Sequence, residues 1–195
     1  MPVTRQLSLF GVEARPPTPL DLEGLLAGAG QVVRMGGTAR VSVLVDAAWR
    51  ARALLTECAL RGLVASVEPG LVEGTLAFRT AYSTALAPLG TAWLRGAIKH
   101  PPPGFALDGR RLRLWATAGG SPDGALGFVL RLGTSDEPAW GPVGAALAAA
   151  GLPATLLGPR AGGPAYRIVG RRRLARLAEL VGDPPVQAPA GQWPG

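Results

Sequence analysis

The sequence predicts an α+β fold made of two similar halves. Three observations carry this. Short runs with β-branched alternation, such as residues 40–45 (RVSVLV), read as half-buried strands. Longer runs, such as 47–62 and 171–181, place their apolar residues at helical spacing. A second round of elements then lies on the first: Ala77-Phe78-Arg79 answers Ala165-Tyr166-Arg167, and at the same offset Leu86 and Leu89 answer Leu174 and Leu177. Within one residue of that offset, Gly62-Leu63-Val64-Ala65 answers Gly151-Leu152-Pro153-Ala154, so two halves related by a pseudo-two-fold axis are expected.

Residues 1–18 read as a flexible tail, because Arg15-Pro16-Pro17-Thr18-Pro19 neither continues a helix nor pairs in a central strand. The first half is placed at 19–100. A short apolar helix spans 22–30, with Thr18 or Asp21 near its start, and a short strand holding Arg34 follows it. Next come the strand 40–45, a helix through Trp49, Ala53, Leu54, Cys58 and Leu60 that stops at Gly62, a strand at 75–81 and a helix at 84–98. Pro101-Pro102-Pro103 opens the second half, 101–183. Its elements are a helix at 112–118, a strand at 127–132, an alanine-rich helix at 138–151, a strand at 166–169 and the helix 171–181. Gly36-Gly37 and Gly162-Gly163 suit hairpin turns. Residues 184–195, rich in proline and without periodicity, read as a disordered tail.

The chain has 195 residues, 48% of them hydrophobic, with no apolar stretch of membrane-spanning length and no secretion signal, which places it in the cytoplasm. The single cysteine, Cys58, sits among Leu54, Leu55 and Ala59 and reads as a buried core thiol. The lone histidine, His100, has no ligating companions, so neither a metal site nor another cofactor is implied. The net charge is +7, and Lys99 is the only lysine among the basic residues. A surplus of fixed guanidinium charge suits a phosphate backbone, although GC-rich coding also favours arginine.

Residues 22–30, Leu-Glu-Gly-Leu-Leu-Ala-Gly-Ala-Gly, resemble the LAGLIDADG motif of homing endonucleases. Trp115-Ala116-Thr117-Ala118-Gly119-Gly120-Ser121 resembles the second copy found in single-chain members. The resemblance runs from about residue 19 to 183 and implies tandem αββαββα units whose two sheets form a saddle over double-stranded DNA. In that family the motif helices pack at the centre, and each ends in an acid that holds a divalent metal at the scissile phosphates. Here those positions match Ala29 and Gly119, and the neighbouring acids match Ala27 and Ala118. The resemblance therefore implies a non-catalytic relative, unless Glu23 or Asp123 replaces a lost ligand. Each also has a plainer role, Glu23 as a first-turn acid and Asp123 as a turn residue.

Strand alternation puts Val41, Val43, Val45, Phe78, Phe128, Leu130, Leu132 and Tyr166 toward the helices. It puts Arg40, Ser42, Arg79, Arg131 and Arg167 outward, with Arg34 assigned to the same outer face, and these outward charges are all of one sign. Arg171 and Arg172, in the run Arg171-Arg172-Arg173, join the candidate DNA contacts. At the other end, Gln6-Leu7-Ser8-Leu9-Phe10 resembles the bacterial sliding-clamp-binding pentapeptide at all five positions, with Leu9 and Phe10 suited to an apolar pocket and the Gln6 amide to its rim. The combined expectation is a monomeric, nucleoid-associated DNA-binding protein, brought to the replication clamp and acting in replication or repair. Alternatives are a transcription regulator with a degenerate domain of this kind, for which the residues after Gly182 leave little room for a helix-turn-helix unit; a nuclease with displaced acids; and a protein adaptor that uses the same saddle.

Overall fold

A computed structural model describes residues 11–195. The first half runs α1 (Glu23–Ala27), β1 (Gln31–Met35), β2 (Thr38–Val45), α2 (Ala48–Ala59), β3 (Ala65–Pro69), β4 (Leu76–Thr80) and α3 (Ala87–Trp93). A small hairpin, β5 (Leu94–Arg95) with β6 (Ile98–Lys99), links it to the second half. That half runs α4 (Gly109–Gly119), β7 (Gly120–Pro122), β8 (Gly127–Arg131), α5 (Glu137–Ala149), β9 (Thr155–Leu157), β10 (Ala165–Val169) and α6 (Arg171–Val181). Each half is thus αββαββα, and the two antiparallel sheets share one strand order, β1-β2-β4-β3 and β7-β8-β10-β9. The fold is α+β.

The core aromatic of each half pairs with an apolar residue of the neighbouring strand. Phe78 lies opposite Val43, and Tyr166 lies opposite Leu130. Both aromatic rings enter one continuous core that also holds Trp93, Trp115 and Phe128. Full burial of a side chain such as Phe78 contributes about 1.5–3 kcal/mol over leaving it exposed.

The two halves meet where α1 packs on α4. The contact is close because α1 carries glycines. A Cβ on Gly24 would stand 2.0 Å from the Arg111 carbonyl oxygen, and one on Gly28 would stand 2.6 Å from the Trp115 ring. So short a helix needs help at its start. A 3-10 turn, Pro19–Leu22, precedes it, and the Asp21 carboxylate accepts from the Thr18 amide at 2.8 Å. In α4, the Asp108 carboxylate accepts from the Arg111 amide at 3.0 Å, which starts that helix three residues ahead of the apolar run.

Three sequence expectations are corrected. The helix expected over 84–98 stops at Trp93, because Gly96, at φ 64°, turns the chain into the β5–β6 hairpin. The segment 184–195, expected to be disordered, is anchored: the Trp193 indole N–H donates to the Gly182 carbonyl at 2.8 Å, and its ring lies 5.4 Å from the Arg113 guanidinium. The flexible tail expected over 1–18 is docked from Gly11 onward. The Val12 amide donates to the Leu180 carbonyl at 2.9 Å, Arg15 pairs with Asp21 at 3.0 Å and with Asp108, and Arg110 donates to the Arg15 carbonyl at 2.6 Å. The pentapeptide Gln6, Leu7, Ser8, Leu9, Phe10 lies outside the described residues.

Candidate nucleic-acid interface

The helices cover one face of each sheet, and the opposite faces are open. On the first sheet, Val32, Val41, Val43 and Phe78 are buried, so their neighbours along the strands form the outer face. Arg40, Ser42 and Arg79 are there, with Ser42 directly opposite Arg79. On the second sheet Phe128, Leu130, Tyr166 and Ile168 are buried, which leaves Arg131 and Arg167 exposed on the outer face. Arg79 and Arg167 occupy equivalent positions, each following the core aromatic of its half.

Arg34 is corrected. It pairs in register with Ala39, which is fully buried, so it shares the helix-side face of the sheet. Its aliphatic stem lies over Gly90 of α3, where a Cβ would stand 2.6 Å from the Arg34 Cγ. The outward residues of β1 are Gln31, Val33 and Met35. Arg171 and Arg172 stand off the sheet, on the first turn of α6, and both are exposed.

The charges on the outer faces are also not of one sign. Arg79 pairs with Glu68 on the adjacent strand at 3.0 Å, and Arg167 pairs with Asp123 from the β7–β8 hairpin. Arg131 is not in an ion pair among the described residues, and Arg40 lies 4.9 Å from the Tyr82 ring. Exposed Val33, Met35 and Leu44 complete an outer surface that is partly apolar.

At the seam between the halves, Ala29 and Gly119 line one pocket of about 140 Å³, together with Asp46, Arg50, Thr75 and Arg131. Neither Ala29 nor Gly119 offers a side-chain oxygen. Three acids have to be accounted for, and each is held by a basic side chain: Asp46, which lines the pocket, accepts from Arg50 at 2.8 Å. Glu23 accepts from the Trp93 indole at 3.1 Å and pairs with Arg111 at 2.7 Å, and Asp123 is held by Arg167. Among the described residues, no group of three or more His, Cys, Asp or Glu side chains gathers where it could hold a metal ion.

Sequence reasoning missed two buried cations at the ends of the central helices, Arg50, which lines this pocket, and Lys99, which does not. Arg50, 4% exposed, donates to the carbonyls of Ala116 (3.3 Å), Thr117 (2.9 Å) and Gly120 (2.6 Å) at the end of α4, and to Asp46 at 2.8 Å. Lys99, also 4% exposed, donates to the carbonyls of Gly28 (2.8 Å) and Gly30 (2.7 Å) just past α1, and pairs with Asp136 at 2.7 Å. Helix C-termini leave carbonyls unbonded and carry partial negative charge, so a cation at each end satisfies both needs. Burial lowers the pKa of Arg50 and of Lys99 from their ordinary values; Asp46 and Asp136 act in the opposite direction and do not fully offset it. The one available signal was the choice of lysine at position 99 in a chain that otherwise uses arginine.

No protein-family model matches this chain, and no curated protein matches it. Solved structures do. The homing endonuclease I-WcaI bound to its DNA recognition sequence aligns over 83% of this chain and 78% of its own, with a TM-score of 0.58 and 13% identity. I-DmoI in complex with DNA and Mn aligns over 84% and 98%, with a TM-score of 0.43 and 13% identity. A mesophilic variant of I-DmoI aligns over 84% and 94%, with a TM-score of 0.44 and 15% identity. The chain has a homing-endonuclease-like fold. Within it, each repeated unit has the αββαββα element order described above, and the first helices of the two units, α1 and α4, are the ones that pack together.

Proposed function

We propose that the protein binds double-stranded DNA on the outer faces of its two sheets without cutting it, and that the segment Gln6–Phe10 brings it to a sliding clamp. The observation that carries the DNA reading is the placement of Arg79 and Arg167 at equivalent outward positions, with Arg40 and Arg131 on the same faces. The pocket at the seam supports the non-cutting part of this reading. Side-chain oxygens are what a hard divalent cation needs; Ala29 and Gly119 supply none, the Asp46 carboxylate that lines the pocket is held by Arg50, and Glu23 and Asp123 are held by other arginines. The clamp reading rests on the five-residue resemblance alone. The two contacts would reinforce each other through effective concentration.

The test measures binding of a fluorescent duplex with EDTA and, separately, with magnesium or manganese. The expected result is metal-independent binding that weakens steeply with salt, no cleavage, and weaker binding by Arg131→Ala/Arg167→Ala. Cleavage that Glu23→Ala or Asp123→Ala abolishes overturns the non-catalytic reading. Retention on a purified clamp should be lost in Gln6→Ala/Leu9→Ala/Phe10→Ala; equal retention removes the recruitment.

The mixed character of the outer faces favours a second reading. Two of the outward arginines are partnered by carboxylates, and Val33, Met35 and Leu44 are exposed, which suits a protein partner on the same saddle. Duplex binding that is absent, or indifferent to salt, supports that reading instead.

A further inference from the structure

Arg171, Arg172 and Arg173 begin α6 on consecutive positions, and all three are exposed. Arg173 donates to the Val169 carbonyl at 3.3 Å. The Arg171 and Arg172 side chains make no hydrogen bond or ion pair among the described residues. With Arg176, which pairs with Glu179 at 2.9 Å, they line an open cleft of about 770 Å³ whose remaining walls are Gly151, Pro153, Val169 and Gly170. No carboxylate lines it. This sets Arg171, Arg172 and Arg173 apart from Arg79 and Arg167, whose charges are met by Glu68 and Asp123.

The patch adjoins the candidate interface. Val169 ends β10 two residues beyond Arg167, so it shares the outer face of the sheet, and it also lines the cleft. The Gly170 amide donates to the Leu126 carbonyl at 2.8 Å, which ties the start of α6 to the end of the β7–β8 hairpin. The arginines therefore stand at the far end of the second half's outer face, away from the seam.

Fold stability does not account for them. Cations in the first turn oppose the helix dipole, and three adjacent guanidinium groups repel one another. The first half lacks the feature. With Ala77–Arg79 laid on Ala165–Arg167, Arg171 falls on Ser83, whose hydroxyl accepts from the Ala85 amide at 3.1 Å and caps the next turn with no charge.

We infer that Arg171, Arg172 and Arg173 form a phosphate-contacting extension of the DNA interface on the second half alone, so that a bound duplex is held beyond one end of the saddle and not beyond the other. This rests on the DNA reading proposed above. Each neutralised phosphate steepens the dependence of log K on log salt by about 0.9, so three contacts predict a slope shallower by about 2–3 once they are removed.

The experiment compares the full chain with Arg171→Gln/Arg172→Gln/Arg173→Gln, and with Arg131→Ala/Arg167→Ala, on a length series of duplexes and across salt concentrations. Thermal unfolding is measured in parallel. The triple variant is expected to bind long duplex about tenfold or more weakly, with the shallower slope. It should reach its plateau affinity at a shorter duplex length, and unfold at a temperature equal to or above that of the unaltered chain. If the unaltered chain binds and Arg131→Ala/Arg167→Ala weakens it, while the triple variant keeps affinity, slope and length dependence, the extension is wrong and the DNA reading stands. If the unaltered chain binds no duplex, both fall. If it binds polyglutamate more tightly than duplex, and the triple variant loses that binding, the patch serves an acidic protein and the inference is overturned.

Discussion

Lys99→Met is the sharpest test of how the centre of this molecule is held. The substitution keeps an apolar stem of similar length and deletes only the ammonium group. That group donates at 2.7–2.8 Å to the carbonyls of Gly28 and Gly30 and to the Asp136 carboxylate. Asp136 is 6% exposed and would keep one side-chain donor, Gln31, at 2.9 Å. Breaking a buried pair from one side leaves a charge out of water and costs about 3–5 kcal/mol. The two orphaned carbonyls add to this in so far as water fails to reach them. For a chain of 195 residues, about 3–5 kcal/mol lowers Tm by roughly 6–20 °C. Urea unfolding of the four members of a Lys99→Met, Asp136→Asn cycle measures it. The double variant should recover part of the loss, because the stranded carboxylate is gone. A loss below about 1 kcal/mol in Lys99→Met, or a double variant that behaves as the sum of the two singles, would refute the assignment of Lys99 as the buried cap of α1.

Three further outcomes are expected. Gly24→Ala should abolish or severely weaken folding, as read by circular dichroism and expression in soluble form, because its Cβ would stand 2.0 Å from the backbone oxygen of Arg111 and push the central helices apart. Burial alone would raise the pKa of Glu57, but bonds and charges from Arg113 and Arg61 outweigh it and hold the carboxyl below its ordinary value. The unfolded chain therefore takes up that proton first as pH falls. The stability from Glu57 is fully present above the ordinary carboxylate range and is lost below it, so Glu57→Gln should flatten the acid limb of a Tm-versus-pH curve. Burial pushes the Cys58 thiol up to about 12, so an aromatic disulfide reagent at pH 8 should label it far more slowly in the native protein than in urea.

Periodicity made the larger elements legible. The alternation in β2 and β8 and the helical spacing in α2 and α6 each reflect one buried face, and a buried face writes itself into residue order. Arg34 escaped this logic because β1 is an edge strand in which only Val32 is buried; its face is fixed by pairing with Ala39, which no local pattern discloses. Leu94 and Ile98 continue an apolar rhythm past the end of α3, and the positive φ at Gly96 overrides it. Trp193, in a proline-rich segment, was the one sign that 184–195 would dock. The outer-face arginines were readable from alternation, but not the carboxylates that meet two of them, since Glu68 and Asp123 are brought there by neighbouring strands and turns. Arg50 and Lys99 were hidden for the same reason in stronger form: their partners are mostly main-chain oxygens far along the chain.

The docking of Val12 on Leu180 fixes the side of the body from which the N-terminal segment leaves. The chain is fastened there to the helical layer, behind the sheets whose outer faces are open. Whatever joins the chain ahead of Gly11 is therefore attached on the helical side of the body, away from the open faces of the two sheets.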